Sequence, residues 1–297
     1  MTDTRRPLEQ HLLLGADNSS GAIEPQDYRD VLVSALLKRW NVNYNFAAIT
    51  GSAVSPNLVG TALATLTFTA ANPCPWGVNA ADTSHYLYIS GGTGAAEAVL
   101  ITGGTAVAGG TSGTITFTPA NSHTGAWTIT SASEGIKEAD IAGGQGVPVY
   151  IYPGSYTVRA PIVMTAGSDL IGTPGGCVLQ RDFTTGHFIR MVGLSTSFVS
   201  ISGLYLGSTA NVVSGYYAVY AQDSNLSVSD LILTSGAGVI DGGILLDGGS
   251  ARVGRVFIGG YGGIGIRVGS AGHAQQLIMT DAILTTTEAA ATGLVLF

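Results

Sequence analysis

Four eight-residue stretches, VSISGLYL (199–206), LSVSDLIL (226–233), ARVGRVFI (251–258) and LIMTDAIL (277–284), can be stacked on one another in the second half of this chain. Their starts at 199, 226, 251 and 277 lie 27, 25 and 26 residues apart. Between them runs a second apolar series: Ala218-Val219-Tyr220, Ile244-Leu245-Leu246, Ile266-Arg267-Val268 and Leu294-Val295-Leu296. Two strand positions thus recur in each period, with turns of variable length and no helical spacing between them. A recurrence of that length fits coils stacked strand on strand at about 4.8 Å, which is a parallel β-helix. An antiparallel sandwich has no need of a fixed period.

Alternation within the octads assigns side chains to faces. Places one and three hold Val199/Ile201, Leu226/Val228, Ala251/Val253 and Leu277/Met279; places six and eight are again apolar, so the chain is expected to bend at places four and five. Place seven then points outward, yet it carries Tyr205, Ile232, Phe257 and Ile283. One reading is an exposed apolar column that serves as a subunit interface. The other is a bend placed differently, with these four side chains in the core.

Working upstream, three regions are expected: an anchoring segment over 1–45, a small β domain over 46–133 and the β-helix over 134–297. The fold class is all-β with a short N-terminal helix. That helix should begin near Pro25, where a missing N–H costs nothing. Tyr28, Val31, Leu32, Ala35, Leu36 and Trp40 form its apolar stripe, with Asp27 early and Lys38 and Arg39 late as the macrodipole favours. A helix this short needs a partner: another protein, its own symmetry mates or the following β domain. In the middle region short strands are expected at 66–69, 86–89, 99–101, 114–117 and 127–130, separated by Gly, Asn and Pro turns. Ser133, Glu134, Ile136, Ala139 and Ile141 read as a capped helical turn that covers the open end of the solenoid.

Composition excludes several classes of function. Charged residues are only 10 % of the chain, Gly reaches 43 residues and the net charge is −7, with no Lys/Arg cluster beyond Arg5-Arg6 and Lys38-Arg39. A nucleic-acid partner is not expected. Mean hydropathy is positive, but the apolar runs are too short for a span of about 20 residues, so membrane insertion is not expected either. The first residues lack the features of a secretory signal, so synthesis and assembly are expected in the cytoplasm. Cys74 and Cys177 stand in unrelated contexts and are expected to be reduced.

Candidate chemistry is sparse. Polysaccharide hydrolysis requires two carboxylates, about 5 Å apart for retention or roughly 6.5–9.5 Å apart for inversion. Place five offers Asp230 and Asp281, two coils apart, but Arg255 stands between them and neutralises the column. Asp247, Asp223 and Asp241 lie at strand ends or in turns, where Asp commonly bonds its own backbone. Asp230, Asp247 and Asp281 are therefore weak catalytic candidates. Tyr205, Tyr216, Tyr217, Tyr220 and Tyr261 are candidates for a sugar-stacking surface. His11, His85, His123, His187 and His273 have no metal-ligand spacing, so neither metal nor cofactor is expected. Gly91-Gly92-Thr93-Gly94 and Gly259-Gly260-Tyr261-Gly262-Gly263 lack the phosphate-loop context and read as tight turns.

Three stretches carry a resemblance to a known family. DNSSGAIEPQDYRDVLV (17–33) resembles the polar turn and P-x-D-x-R-D helix near the start of many bacteriophage tail proteins, although Glu24 stands where a capping Ser or Thr is common. The stretch 96–133 with the following GIKEA (135–139) is similar to an all-β linker module of such proteins. VYIYPGSY (149–156) and SDLIG (168–172) resemble the entry coil of pectate-lyase-like helices. The resemblance, to tailspike or tail-fibre proteins, covers most of the chain and specifies architecture better than reaction. It implies a homotrimer in the virion, attached to phage tail or baseplate proteins through its N-terminal helix and projecting its β-helix toward a host surface polysaccharide. An alternative under the same resemblance is a tailspike depolymerase. The last apolar series (293–297) stops in mid-pattern, so further chain or a partner is expected to cover that end.

Overall fold

The computed structural model describes Tyr44–Asn45 and residues 57–296, apart from 70–73, 75–76, 109, 111, 145–146, 166, 193–197, 214, 235–239, 270–274 and 287–291. The helix expected over 25–40, with Tyr28, Val31, Leu32, Ala35, Leu36 and Trp40, lies outside the described residues.

The middle region forms two antiparallel sheets. In one, Tyr86–Gly91 lies between Glu97–Leu100 and Trp127–Ser131, and Tyr44–Asn45 pairs with the far side of Trp127–Ser131. In the other, Gly113–Phe117 lies between Ala64–Phe68 and Gly103–Gly104. All five strands expected here are present, each displaced by no more than two residues. Strict period-two alternation puts Leu66, Phe68, Leu87, Ile89, Ile115, Phe117, Trp127 and Ile129 into one core and leaves Thr and Ser outward.

The helix Ile136–Gly143 follows. Its N-cap is Gly135, left-handed at φ 89°, and not Ser133. Ser133 still helps the first turn, its hydroxyl accepting the Lys137 N–H at 2.9 Å, while the Ser131 hydroxyl accepts the Gly135 N–H at 2.7 Å. Ile136 and Ala139 are buried in the core of the β-helix, so this helix covers the solenoid's first coil. The same helix joins the two domains through buried polar contacts. Glu138 meets His85 Nε2 at 2.9 Å, and Lys137 Nζ reaches Asp82 at 2.8 Å and Asp140 at 3.4 Å. Asp82 also accepts the Thr165 hydroxyl at 3.1 Å.

The rest of the chain is a parallel solenoid with three faces. Pairing aligns Val199 with Leu226, Ala251 and Leu277, the register read from the octads, and every one of these pairs is parallel. At place three the ladder reads Val149–Leu170–Ile201–Val228–Val253–Met279. At place eight it reads Tyr156–Leu179–Leu206–Leu233–Ile258–Leu284. The second apolar series forms the third face, Ile162–Ile189–Val219–Ile244–Ile266–Leu294. Val219, and not Ala218, is therefore the partner of Ile244; the octads were in register while this series was one residue off in its first member. Inward side chains from all three faces meet in a single apolar core.

The bend between the first two faces sits at place five. Gly203, Asp230, Arg255 and Asp281 all have positive φ, at 70°, 52°, 51° and 51°. A left-handed residue reverses the alternation once, which is why places three and six both point inward. At Gly203 the reason for glycine is also steric, since an added Cβ would lie 2.2 Å from the Gly172 carbonyl oxygen. The run 259–263 is not a tight turn as expected: it lies within the strand Gly249–Val268, which rounds a corner through left-handed Gly260 and a register shift between Gly259 and Tyr261. On the last rung Met279 and Leu294 are 39 % and 38 % exposed, whereas Val253 and Ile266 above them are 2 % and 1 % exposed.

Candidate functional site

Two outward regions of the β-helix gather side chains with chemistry. The first is the corner at place five. Arg255 donates from Nε and Nη2 to the two carboxylate oxygens of Asp230, both at 2.6 Å, a bidentate pair across one coil spacing. That hydrogen bonding holds the Asp230 carboxyl below the ordinary aspartate range and raises Arg255, to which the charge of Asp281 also contributes. A carboxylate tied in this way is a poor proton donor and a poor base. Asp281 extends the column, so the place-five ladder is the one drawn from the sequence.

Beside the ladder, a cavity of about 400 Å³ is lined by Pro174, Asp230, Arg255, Phe257, Asp281 and Ile283 among others. Its apolar wall is the place-seven column, where Tyr205, Ile232, Phe257 and Ile283 follow one another in register. Ile232, Phe257 and Ile283 are 36 %, 36 % and 59 % exposed, and Tyr205 is half-buried with its hydroxyl against that of Thr234. The column therefore faces outward and the core alternative does not hold. The left-handed residue two places earlier is the physical cause. Further toward the first coil, Tyr150, Tyr152, Pro153 and Ile171 line a second cavity of about 630 Å³.

The second region lies on the outer side of the third face. Tyr220 donates its hydroxyl to Asp247 at 3.1 Å. The His187 ring lies 4.2 Å from the Tyr220 ring, and the Arg190 guanidinium is 5.7 Å from it. Tyr216 meets His187 edge-on at 5.5 Å, and Arg190 donates to Gln222 at 2.9 Å. Burial, reinforced by the charges of Arg190 and Arg181, pushes His187 down to about 4, so it is neutral at physiological pH. Burial, with Asp247 accepting its proton, pushes Tyr220 up to about 12.

Asp247 thus sits in a cluster, whereas Asp230 and Asp281 belong to the other region; the structure does not bring the three together. Of the tyrosines read as a stacking surface, Tyr217, Tyr220 and Tyr261 are buried and offer no open ring: Tyr261 lies in the apolar core, and the His187 ring lies against Tyr217 and Tyr220. Tyr205 and Tyr216 remain half-buried. His187, Arg190 and Gln222 were not singled out from the sequence. Register alone unites them with Tyr220 and Asp247, since Arg190 pairs with Tyr220 and Gln222 with Asp247, and the irregular coil before residue 199 concealed that register. Among the described residues no group of three or more His, Cys, Asp and Glu is placed to hold a metal ion. Cys74 and Cys177 are free and buried in separate cores.

Comparison with known proteins adds little to this geometry. No protein-family model matches the chain, and no curated protein matches it. Solved structures that it resembles include the catalytic domain of a GH87 alpha-1,3-glucanase in complex with nigerose, at 11 % identity and TM-score 0.32, over 78 % of this chain and 58 % of that one. A D1069A form of that catalytic domain, also with nigerose, matches at 10 % identity and TM-score 0.33, over 78 % and 58 %. This chain thus spans under two thirds of the length of these neighbours, and likeness at this level identifies neither a family nor a reaction.

Proposed function

We propose that the protein is a virion structural component of a bacteriophage tail, attached through its N-terminal segment, with a trimeric β-helix that adheres to a host-surface glycan. The observation that carries this reading is the outward apolar column Tyr205–Ile232–Phe257–Ile283, in register on four successive coils and flanked by the Asp230–Arg255 ion pair. Apolar side chains repeated along one edge of a rod are the chemistry of a lengthwise interface between identical rods. The resemblance of residues 17–33 and 96–139 to tail proteins supplies the virion context.

Adhesion is favoured over the depolymerase alternative because Asp230 is held ionised by Arg255 and Asp247 accepts from a tyrosine that retains its proton. A general acid requires raised proton affinity, and the bond from Arg255 moves Asp230 the other way. Immobilised host-surface polysaccharide should retain the purified protein without release of reducing ends. Release that Asp230→Ala or Asp247→Ala abolishes would establish the depolymerase instead, and no retention at all would contradict both.

A further inference from the structure

We propose that the third face of the β-helix binds the carboxylate of an acidic sugar between Arg190 and His187, an inference that rests on the glycan-adhesion reading. Two of the solenoid's arginines stand without a counter-ion among the described residues. Lys137, Arg159 and Arg255 each lie within salt-bridge distance of a carboxylate. Arg181 and Arg190 do not, among the described residues.

Arg181 is 1 % exposed, with Nε and Nη2 donating to the backbone carbonyls of Phe183 and Gly186, both at 2.8 Å, and its guanidinium 4.2 Å from the Phe183 ring. Its Nη1 is buried without an acceptor. Among the described residues Arg190 donates only to the neutral amide of Gln222, and its Nε is likewise buried without an acceptor there. Two neighbouring guanidiniums with neutral hydrogen-bond partners set up a positive field at the His187 ring, while Asp247 and Asp223 act on Tyr220. His187 senses it: both charges that act on its ring are these arginines, and both lower its proton affinity.

The surrounding groups suit a sugar acid in particular. His187 Nδ1 accepts the Tyr217 N–H at 3.1 Å, which leaves Nε2 to carry the proton and donate. With the Arg190 guanidinium, that is a donor set for a carboxylate, and arginine is the residue best matched to it. Asp247, which accepts the Tyr220 hydroxyl, and the exposed Asp223, whose charge acts on the same tyrosine, are the carboxylates beside this site. The half-buried rings of Tyr216 and His187 form the apolar wall. A neutral sugar would leave the arginine field uncompensated.

The test uses the intact protein, with the His187 imidazole followed by NMR between pH 3 and 7 and assigned by His187→Gln. The probes are a uronic-acid oligosaccharide and its methyl ester, which differ only in charge. The acid should bind, raise the His187 pKa from about 4, and weaken with added salt, while the ester binds about tenfold less tightly. Arg190→Gln should remove that preference and Arg190→Lys retain part of it, with folding checked from the apolar-core methyl resonances. Equal binding of acid and ester, or an undiminished preference in Arg190→Gln, would overturn the inference and leave glycan adhesion standing. A His187 shift with free glucuronate but no binding of any oligosaccharide would support the anion site and overturn adhesion. No response to any probe would overturn both.

Discussion

Gly203, Asp230, Arg255 and Asp281 share one backbone conformation although their side chains have nothing in common. Glycine adopts positive φ freely and aspartate tolerates it, whereas arginine there carries strain that its bond to Asp230 only partly offsets. Arg255→Gly should leave the unfolding midpoint unchanged or raise it, because an exposed ion pair contributes little. Arg255→Val places a β-branched residue at positive φ and should cost about 1–3 kcal/mol in denaturant unfolding. Gly203→Ala should lose more than Arg255→Ala, since its Cβ would meet the Gly172 oxygen at 2.2 Å. The octads suggested the outward direction of Phe257 and Ile283 without deciding it, because apolar residues at both three and six implied a bend at places four and five while a bend placed differently would have put the column in the core. The left-handed φ that makes the bend was not legible, since Arg255 gives no sign of it.

Among the elements, the helix Ile136–Gly143 has the largest structural consequence for its length. Lys137 is 2 % exposed between the partly buried Asp82 and the fully buried Asp140, so its removal leaves both carboxylates without that counter-charge. Lys137→Met should therefore destabilise by about 3–5 kcal/mol, read from urea unfolding. Burial alone would raise the Asp82 carboxyl, but the Lys137 charge and the hydrogen bonds from Lys137 and Ser84 outweigh it and lower the value to about 2. A lowered carboxyl stabilises the fold above its unfolded value of about 3.8 and loses that contribution as pH falls toward about 2. Unfolding free energy measured across that window should fall in the wild type and fall less in Lys137→Met. Core packing along the first face is graded: Ile201→Ala should cost about 2–5 kcal/mol, and Met279→Ala, at a side chain already 39 % exposed, clearly less. The middle strands were legible because each alternates cleanly. The cap was misassigned to Ser133 because its hydroxyl does bond the first turn, while a left-handed Gly135 begins it.

For the whole molecule, one period read from apolar residues fixes three faces, a common core and the alignment of the outward column. The earlier coils at 149–158 and 170–181 were recognisable only by resemblance, because extra residues between their halves, 152–153 in the first and 173–176 in the second, hide the octad. The His187–Arg190–Tyr220–Asp247 cluster was hidden for a related reason: it assembles across coils whose lengths differ. What the column does is a question about assembly. Apolar side chains on one edge of a rod predict association along that edge, and a charge placed in the column should prevent it. The most direct measurement is the native mass of the purified protein beside that of Phe257→Asp. Three times the 30.2 kDa chain mass for the wild type, with dissociation in the variant, is the predicted result. A single-chain mass for both, or an assembly that Phe257→Asp leaves intact, would contradict it.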